Sequence, residues 1–192
     1  MKKNLFFTVF LLFVNCICSA QHNEMHSHNN EVSIIDDGLF GNIVIDFELI
    51  DHNGAKVSIE DFSGQFLFIG FGFTNCPNVC PMMAFNIGNA VSSLGEGSKG
   101  IFISVDSERD TPEITHNYAS NFGENMIGLS GSFEEINLVA NNFNVSYAIT
   151  KTQNNYTVQH TSNIYIVDQS GDLLDILPFS SSSSELIESI YN

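Results

Sequence analysis

Bases are scarce in this chain: six Lys and Arg stand against 22 Asp and Glu, for a formal net charge of −16. A nucleic-acid binder neutralises phosphates with Lys and Arg, so this balance excludes phosphate-driven binding of DNA or RNA. It leaves room for a basic partner or a cation and identifies neither. Tryptophan is absent, and the aromatic content rests on 17 Phe. No stretch recurs at a fixed period, which excludes a solenoid or a propeller. The apolar run near the N-terminus falls short of the roughly 20 residues that a membrane-spanning helix needs. Cysteine is rare as well: Cys16 and Cys18 lie near the start, Cys76 and Cys80 further in. Two of the four prolines, Pro77 and Pro81, directly follow a cysteine. The length of 192 residues suits one domain with a tail.

The first twenty residues stand apart. Lys2 and Lys3 precede a nearly all-apolar stretch, residues 5–14, and "CICSA" then ends in small residues. This is the three-part pattern of a secretory signal peptide, with a cut after Ala20. Retention of residues 4–18 as a membrane anchor is the alternative. Cys16 and Cys18 follow Asn15 and Ile17, which are poor residues before a lipidation cysteine. Loss of residues 1–20 removes Lys2 and Lys3 and no acid, so the formal charge moves from −16 to −18. Lys56, Lys99, Arg109 and Lys151 then remain as the bases. An exported chain, in a periplasm or at the outer face of the cytoplasmic membrane, meets oxidising conditions. There Cys76 and Cys80 pair as a disulfide unless something reduces or metallates them. Residues 21–42 read as a polar tail and linker, in which "QHNEMHSHNN" carries His22, Met25, His26 and His28 without apolar periodicity.

The folded region is expected over residues 43–192. Ile43, Ile45, Phe47 and Leu49 alternate with Val44, Asp46 and Glu48, which predicts a half-buried strand. Asn53 and Gly54 supply a hairpin turn, because both accept positive φ, and Val57 and Ile59 mark a returning strand. "QFLFIGFGF" is a continuous apolar run between turn residues, the pattern of a strand buried on both faces. The cysteine segment follows at once, and Pro81 fits the first position of a helix through "MMAFNIGNAVSSLG". "IFISV" is the next strand and "DSERD" a loop. Thr111, Pro112 and Glu113 open a second helix as cap, N1 residue and acid opposing the dipole. Its apolar face is expected at Ile114, Tyr118 and Phe122. Ser132 and Glu135 are spaced as the capping box of a third helix. "VSYAIT" is a short strand, and "NIYIVD" and "LLDILPF" are two more joined by "QSGD". Ser182 and Glu185 cap a terminal helix bearing Leu186, Ile187 and Ile190. Strands alternating with helices predict an α/β sheet. A βαβ unit followed by ββα is the thioredoxin-like arrangement, here with an N-terminal β-hairpin extension.

A strand that delivers cysteines to a helix N-terminus is suited to chemistry, because unpaired N–H groups and the helix dipole favour thiolate. Three readings of Cys76 and Cys80 follow. A structural disulfide would add only about 2 kcal/mol for so small a loop, in a fold with its own apolar core. A redox couple is the second. Thioredoxins, however, place two residues between their cysteines, usually after Trp, whereas three intervene here and Trp is absent. The wider spacing lets both sulfurs turn toward one ion, so a metal site is the third, with Cu(I), Cu(II) or zinc as candidates. Most of the six histidines are placed for solvent: His22, His26 and His28 in the tail, His52 in the hairpin turn, His116 off the apolar face of its helix. His160 differs. It stands in "YTVQHTSNIYIVD", just before a buried strand, where the incoming segment of a thioredoxin-like fold packs on the cysteines.

Taken together, "FTNCPNVCP", "VDSERDTPE", "VQHTSNIYIVD" and the opening "DFELIDHNGAKVSIEDFSGQ" resemble the Sco/SenC family of copper proteins over roughly residues 43–192. The resemblance implies a thioredoxin-like fold and one copper ion per chain, held by Cys76, Cys80 and His160. It implies a metallochaperone role in assembling the binuclear copper centre of cytochrome c oxidase. The partner would be its subunit II or another copper-accepting protein, served by copper delivery or by reduction of the target cysteines. Such a protein is not an enzyme in the usual sense. Asn78 stands where the family commonly has Asp, and Ser107 where it commonly has Pro; neither is an implied ligand. Asp106, at the end of a core strand, is a candidate for orienting a ligand or partner. The tail with His22, Met25, His26 and His28 is either a loose copper-capture segment or a solvated Asn-rich linker. The alternative function is a cell-envelope thiol-disulfide oxidoreductase that uses Cys76 and Cys80 without obligatory metal. A thiol peroxidase passing through a sulfenic acid is a third.

Overall fold

The computed structural model describes residues 43–153 and 156–191. The expected signal or anchor (1–20) and the polar tail (21–42) lie outside the described residues. Within them no helix is long and apolar enough to cross a membrane.

The alternating residues Ile43, Ile45, Phe47 and Leu49 are buried, as their period-2 pattern predicts. Regular pairing is shorter than expected. Strand β1 spans Glu48–Ile50 and pairs antiparallel with β2, Lys56–Ser58. Upstream of β1 the backbone instead turns to other partners: the Val44 N–H donates to the Asn142 carbonyl at 2.8 Å. The hairpin turn is where Asn53 and Gly54 place it. The Asp51 carboxylate accepts from the Asn53 and Ala55 N–H groups, and Gly54 takes φ +78°, a left-handed conformation that glycine adopts without strain. Ile59 was expected in the returning strand and instead starts a 3-10 turn, Ile59–Phe62. The Asp61 carboxylate accepts from the Ser58 N–H, a capping box that stops the strand.

The core is a five-stranded sheet. Its middle strand is β3, Phe66–Gly72, buried on both faces over most of its length. On one side lie β4, Ser98–Ser104, and β5, Met126–Leu129, both parallel to their neighbours. On the other lie β8, Asn163–Val167, and β9, Leu173–Pro178, both antiparallel. The short strand β5 was not foreseen, because "MIGL" carries no alternation, although the turns at 121–122 and 124–125 separate it from the helix before it. Helix α1, Val79–Leu94, covers one face: a side chain at Gly70 would meet Met83 and Ile87. Helix α2, Pro112–Ser120, shares that face, where Tyr118 packs on Phe102 with ring centroids 4.9 Å apart. On the opposite face Phe71 packs on Phe143 at the end of α3, Phe133–Asn142, and on Tyr165 of β8. Each such fully buried aromatic contributes about 1.5–3 kcal/mol relative to an exposed one. Helix α4, Ser183–Glu188, seats Leu186 in the core.

The caps read from sequence are present. The Thr111 hydroxyl accepts from the Ile114 N–H, and the Ser132–Glu135 and Ser182–Glu185 boxes close reciprocally. Two expectations need correction. Helix α1 begins at Val79, not Pro81, so Cys80 sits inside the first turn and Pro81 two residues in. The inward face of α2 is Thr115 and Ala119, with Tyr118 and Phe122 half-buried and Ile114 exposed. The remaining strands, β6 (Tyr147–Lys151) and β7 (Tyr156–His160), form a separate hairpin that ends at His160.

Candidate metal and redox centre

The β3 strand ends at Gly72, and the chain turns through Phe73 to Cys76, whose N–H donates to the Phe73 carbonyl at 3.2 Å. This turn is held from outside. Asp110, 1% exposed, accepts from the Thr74 N–H at 2.8 Å and from the Thr74 hydroxyl at 2.6 Å. It accepts from the Ser104 hydroxyl as well, also at 2.6 Å. Three donors on one buried carboxylate satisfy its charge and fix the residues leading to Cys76. Cys80 is fully buried in the first turn of α1. Its sulfur occupies space that only a glycine at 72 leaves free. A Cβ there would come within 2.9 Å of the Cys80 sulfur and 2.8 Å of the Phe102 ring.

The two cysteines are not equivalent. Burial alone would raise the Cys76 thiol. The opposing hydrogen bonds from the Cys80 N–H and thiol and from the Asn78 and Val79 N–H groups win, and its pKa falls below the ordinary value. Cys80 is pushed strongly up, first by burial and then by its thiol bond to Cys76. The pair is therefore a half-buried, activated Cys76 beside a buried Cys80 that keeps its proton. Both cysteines are free thiols.

His160 arrives from the far side on β7. Its Nδ1 lies 2.9 Å from the Thr161 carbonyl, which can only accept, so Nδ1 carries the proton. Nε2 is left with its lone pair and points at the Cys80 sulfur, 3.5 Å away. Burial lowers the His160 pKa and favours this neutral form. The ring also meets Phe73 edge to face, with centroids 5.8 Å apart. A neutral imidazole with one nitrogen anchored to a carbonyl and the other free is the usual state of a metal-ligating histidine. Two sulfurs and this nitrogen suit a soft ion such as copper, or zinc. Among the described residues no three such side chains already stand as a closed cage, so a bound ion would draw them together.

Asp106 also contributes, though not as a ligand. Fully buried, it accepts from Arg109 at 2.5 Å and from the Tyr156 hydroxyl at 2.6 Å. The Arg109 guanidinium lies over the Tyr156 ring, 3.8 Å from its centroid. Tyr156 begins the strand that ends in His160, so this cluster positions the histidine. Sequence reasoning missed Asp110 and Tyr156; the signal available was that "DSERD" and the His160 strand belong to the same fold end. His116 was expected in solvent. It is half-buried and stacks on the exposed His52, 3.9 Å between centroids and 12° between planes.

The model of the SCO1/SenC family matches residues 35–192. The chain belongs to the SCO1/SenC family. The curated fission-yeast protein named Protein sco1 is 35% identical over 154 residues, an alignment spanning 75% of this chain and 58% of that protein. The chain thus spans little more than half of that Sco relative. The crystal structure of Arabidopsis thaliana ScoI with copper bound aligns at TM-score 0.70 and 31% identity, over 76% of this chain and 93% of that one. BsSco, described as a member of the Sco family of cytochrome c oxidase assembly proteins with a disulfide switch, aligns at TM-score 0.58 and 27% identity. That alignment covers 76% of this chain and 90% of BsSco. The fold is accordingly the thioredoxin-like fold of Sco proteins.

Proposed function

We propose that this chain binds one copper ion through Cys76, Cys80 and His160 and serves the assembly of the binuclear copper centre of cytochrome c oxidase. The observation that carries the reading is the 3.5 Å approach of His160 Nε2 to the Cys80 sulfur, between residues 80 apart in sequence. A fold does not bring a free imidazole nitrogen to a buried thiol by default; the Thr161 carbonyl and the Tyr156–Asp106 bond both aim it there. The copper bound in the Arabidopsis relative and the assembly role of BsSco support the same reading.

The residues divide the work. Thiolates hold Cu(I) well, and imidazole also suits Cu(II), so the set serves either state. Loading displaces the Cys80 proton and any proton on Cys76, so binding weakens in acid. Three protein ligands leave a position through which a recipient, such as subunit II of the oxidase, takes the ion by ligand exchange. The site would work outside the cytoplasm, in a periplasm or at the outer membrane face, where the thiols must be kept reduced.

A second reading has its own observation. The activated Cys76 beside a protonated Cys80 is the asymmetry of a dithiol reductase. Cys76 thiolate would attack a target disulfide, Cys80 would then displace the target thiol, and a Cys76–Cys80 disulfide would remain with both target cysteines reduced. The test is the absorption spectrum of reduced protein titrated with Cu(II), beside Cys76→Ala, Cys80→Ala and His160→Ala. A one-equivalent thiolate-to-copper band, lost in each variant, supports the copper reading. Oxidation to the disulfide with no band would transfer the function to the dithiol alone.

A further inference from the structure

Helix α3 opens on Phe133, a large apolar side chain that stands 54% exposed. Strand β6 runs beside it, and its residues Tyr147, Ile149 and Lys151 alternate onto one face of the β6–β7 hairpin. Between the two elements lies a groove of about 600 Å3, lined by these residues, by Asn137 of α3 and by Glu108 of the "DSERD" loop. Apolar surface gathered in a groove and rimmed by polar groups marks an interaction site. The groove is continuous with the candidate metal and redox centre. Directly opposed residues of an antiparallel pair share a face. The register sets Tyr147 against His160, Ile149 against Val158 and Lys151 against Tyr156. The β7 half of that face closes on Cys80 through His160 and on Asp106 through Tyr156. The β6 half opens into the groove, so a chain lying there is one strand away from His160. At the other end of β6, Lys151 pairs with Glu108, both side chains about half exposed. A pair so exposed to water adds little to the fold, which leaves Glu108 available to a second cation.

Charge selects the occupant. Of the 22 acids only Glu24, Glu31, Asp36 and Asp37 precede the fold, so 18 stand on it against four bases. Three of those bases, Lys56, Arg109 and Lys151, already face Glu48, Asp106 and Glu108. A second copy of this chain would bring the same acidic surface. Residues 21–42 carry four acids and no Lys or Arg. Like charges repel both, whereas a basic partner is drawn in. We propose that the groove between α3 and β6 docks a basic polypeptide segment of the protein that this centre serves. An apolar or aromatic side chain of the segment packs on Phe133, Tyr147 and Ile149, and a Lys or Arg beside it pairs with Glu108. The proposal rests on the reading that this end of the fold serves a protein partner, and it holds whether that partner receives copper or is reduced.

The test titrates isotope-labelled, reduced, metal-free full-length protein with a short synthetic peptide in which Phe is flanked on both sides by Lys. Saturable amide shifts at residues 133–137 and 147–151, weakening as salt is added, are expected. Control peptides with Glu in place of Lys, or Ala in place of Phe, should bind about tenfold more weakly. Phe133→Ala should weaken the Lys–Phe–Lys peptide about tenfold, as truncation of a central apolar anchor does. Glu108→Gln should weaken it and reduce its salt dependence. Both side chains are more than half exposed, so both variants should keep the wild-type thermal midpoint. Absence of saturable shifts, shifts confined to other residues, or equal binding of the acidic peptide overturns the proposal. Binding of a peptide of residues 21–42, or self-association of the wild-type protein in sedimentation, overturns it too if Phe133→Ala abolishes it, since the groove then has another occupant. The copper titration is scored separately: loss of the copper reading leaves this peptide map standing, and failure of the map leaves the copper band standing.

Discussion

Asp110 receives three hydrogen bonds and touches neither sulfur, yet the turn that carries Cys76 depends on it. Its Oδ2 accepts from the Thr74 N–H and the Ser104 hydroxyl, its Oδ1 from the Thr74 hydroxyl. Ala at this position would offer no acceptor at all. A hydroxyl can rotate away, but the backbone N–H of Thr74 cannot. Asp110→Ala should therefore lower the unfolding free energy by about 3 kcal/mol, in the range for a lost charged hydrogen bond with a donor left buried. Urea unfolding of the reduced proteins measures it, and a loss below about 1 kcal/mol would show that the turn holds without this carboxylate. The same residue shows why parts of the centre were not legible in sequence. "DSERD" could be recognised as a motif, but its partner Thr74 lies 36 residues upstream, and neither residue type signals such a bond. The meeting of His160 with Cys80 was legible because both stand where core strands lead to the same end of the sheet.

At the scale of elements, the strands and helices with strong local signals formed where expected, and those shaped by tertiary contacts did not. The three serine and threonine caps of α2, α3 and α4 are local devices, and each is present. By contrast β5 exists because "MIGL" lies along β4, with Gly128 under the Thr115 carbonyl of α2. Nothing within those four residues announces it. The strand β7 forms because Tyr156 reaches Asp106, 50 residues away. The His52–His116 stack is another contact of this kind, joining the β1–β2 turn to α2. Burial and then the charge of His52 lower the His116 pKa from its ordinary value of 6.5, while Asp51 opposes them. The unfolded chain thus takes up a proton near pH 6.5 that folded His116 refuses. The stability associated with this neutral ring is fully present above that pH and is lost as pH falls through the lower folded value. His160, also lowered by burial, adds a slope of the same sign. His116→Asn should flatten only the His116 share. Unfolding midpoints of both proteins across mildly acidic to neutral pH read it, and parallel curves would mean that the stacked pair does not titrate on unfolding.

At the scale of the whole molecule, the proposed function gives one pair of sulfurs two exclusive states. A Cys76–Cys80 disulfide removes both thiolates from any ion, and a bound ion removes both sulfurs from disulfide exchange. Reduction state should therefore decide whether copper stabilises the fold. An ion that binds the native state alone adds about 2.7 kcal/mol when its free concentration is a hundred times Kd. For a chain of this size that corresponds to a rise of about 5–10 °C in the thermal midpoint. Reduced protein should show this rise with one equivalent of copper and lose it on adding a chelator. Protein oxidised at Cys76 and Cys80 should unfold at the same temperature with or without copper, since His160 alone cannot hold the ion against chelation. Calorimetry of these five samples separates the possibilities. An equal rise in the oxidised protein would place the stabilising ion elsewhere on this acidic surface, and then the sulfurs would be a redox pair whose metal binding is incidental.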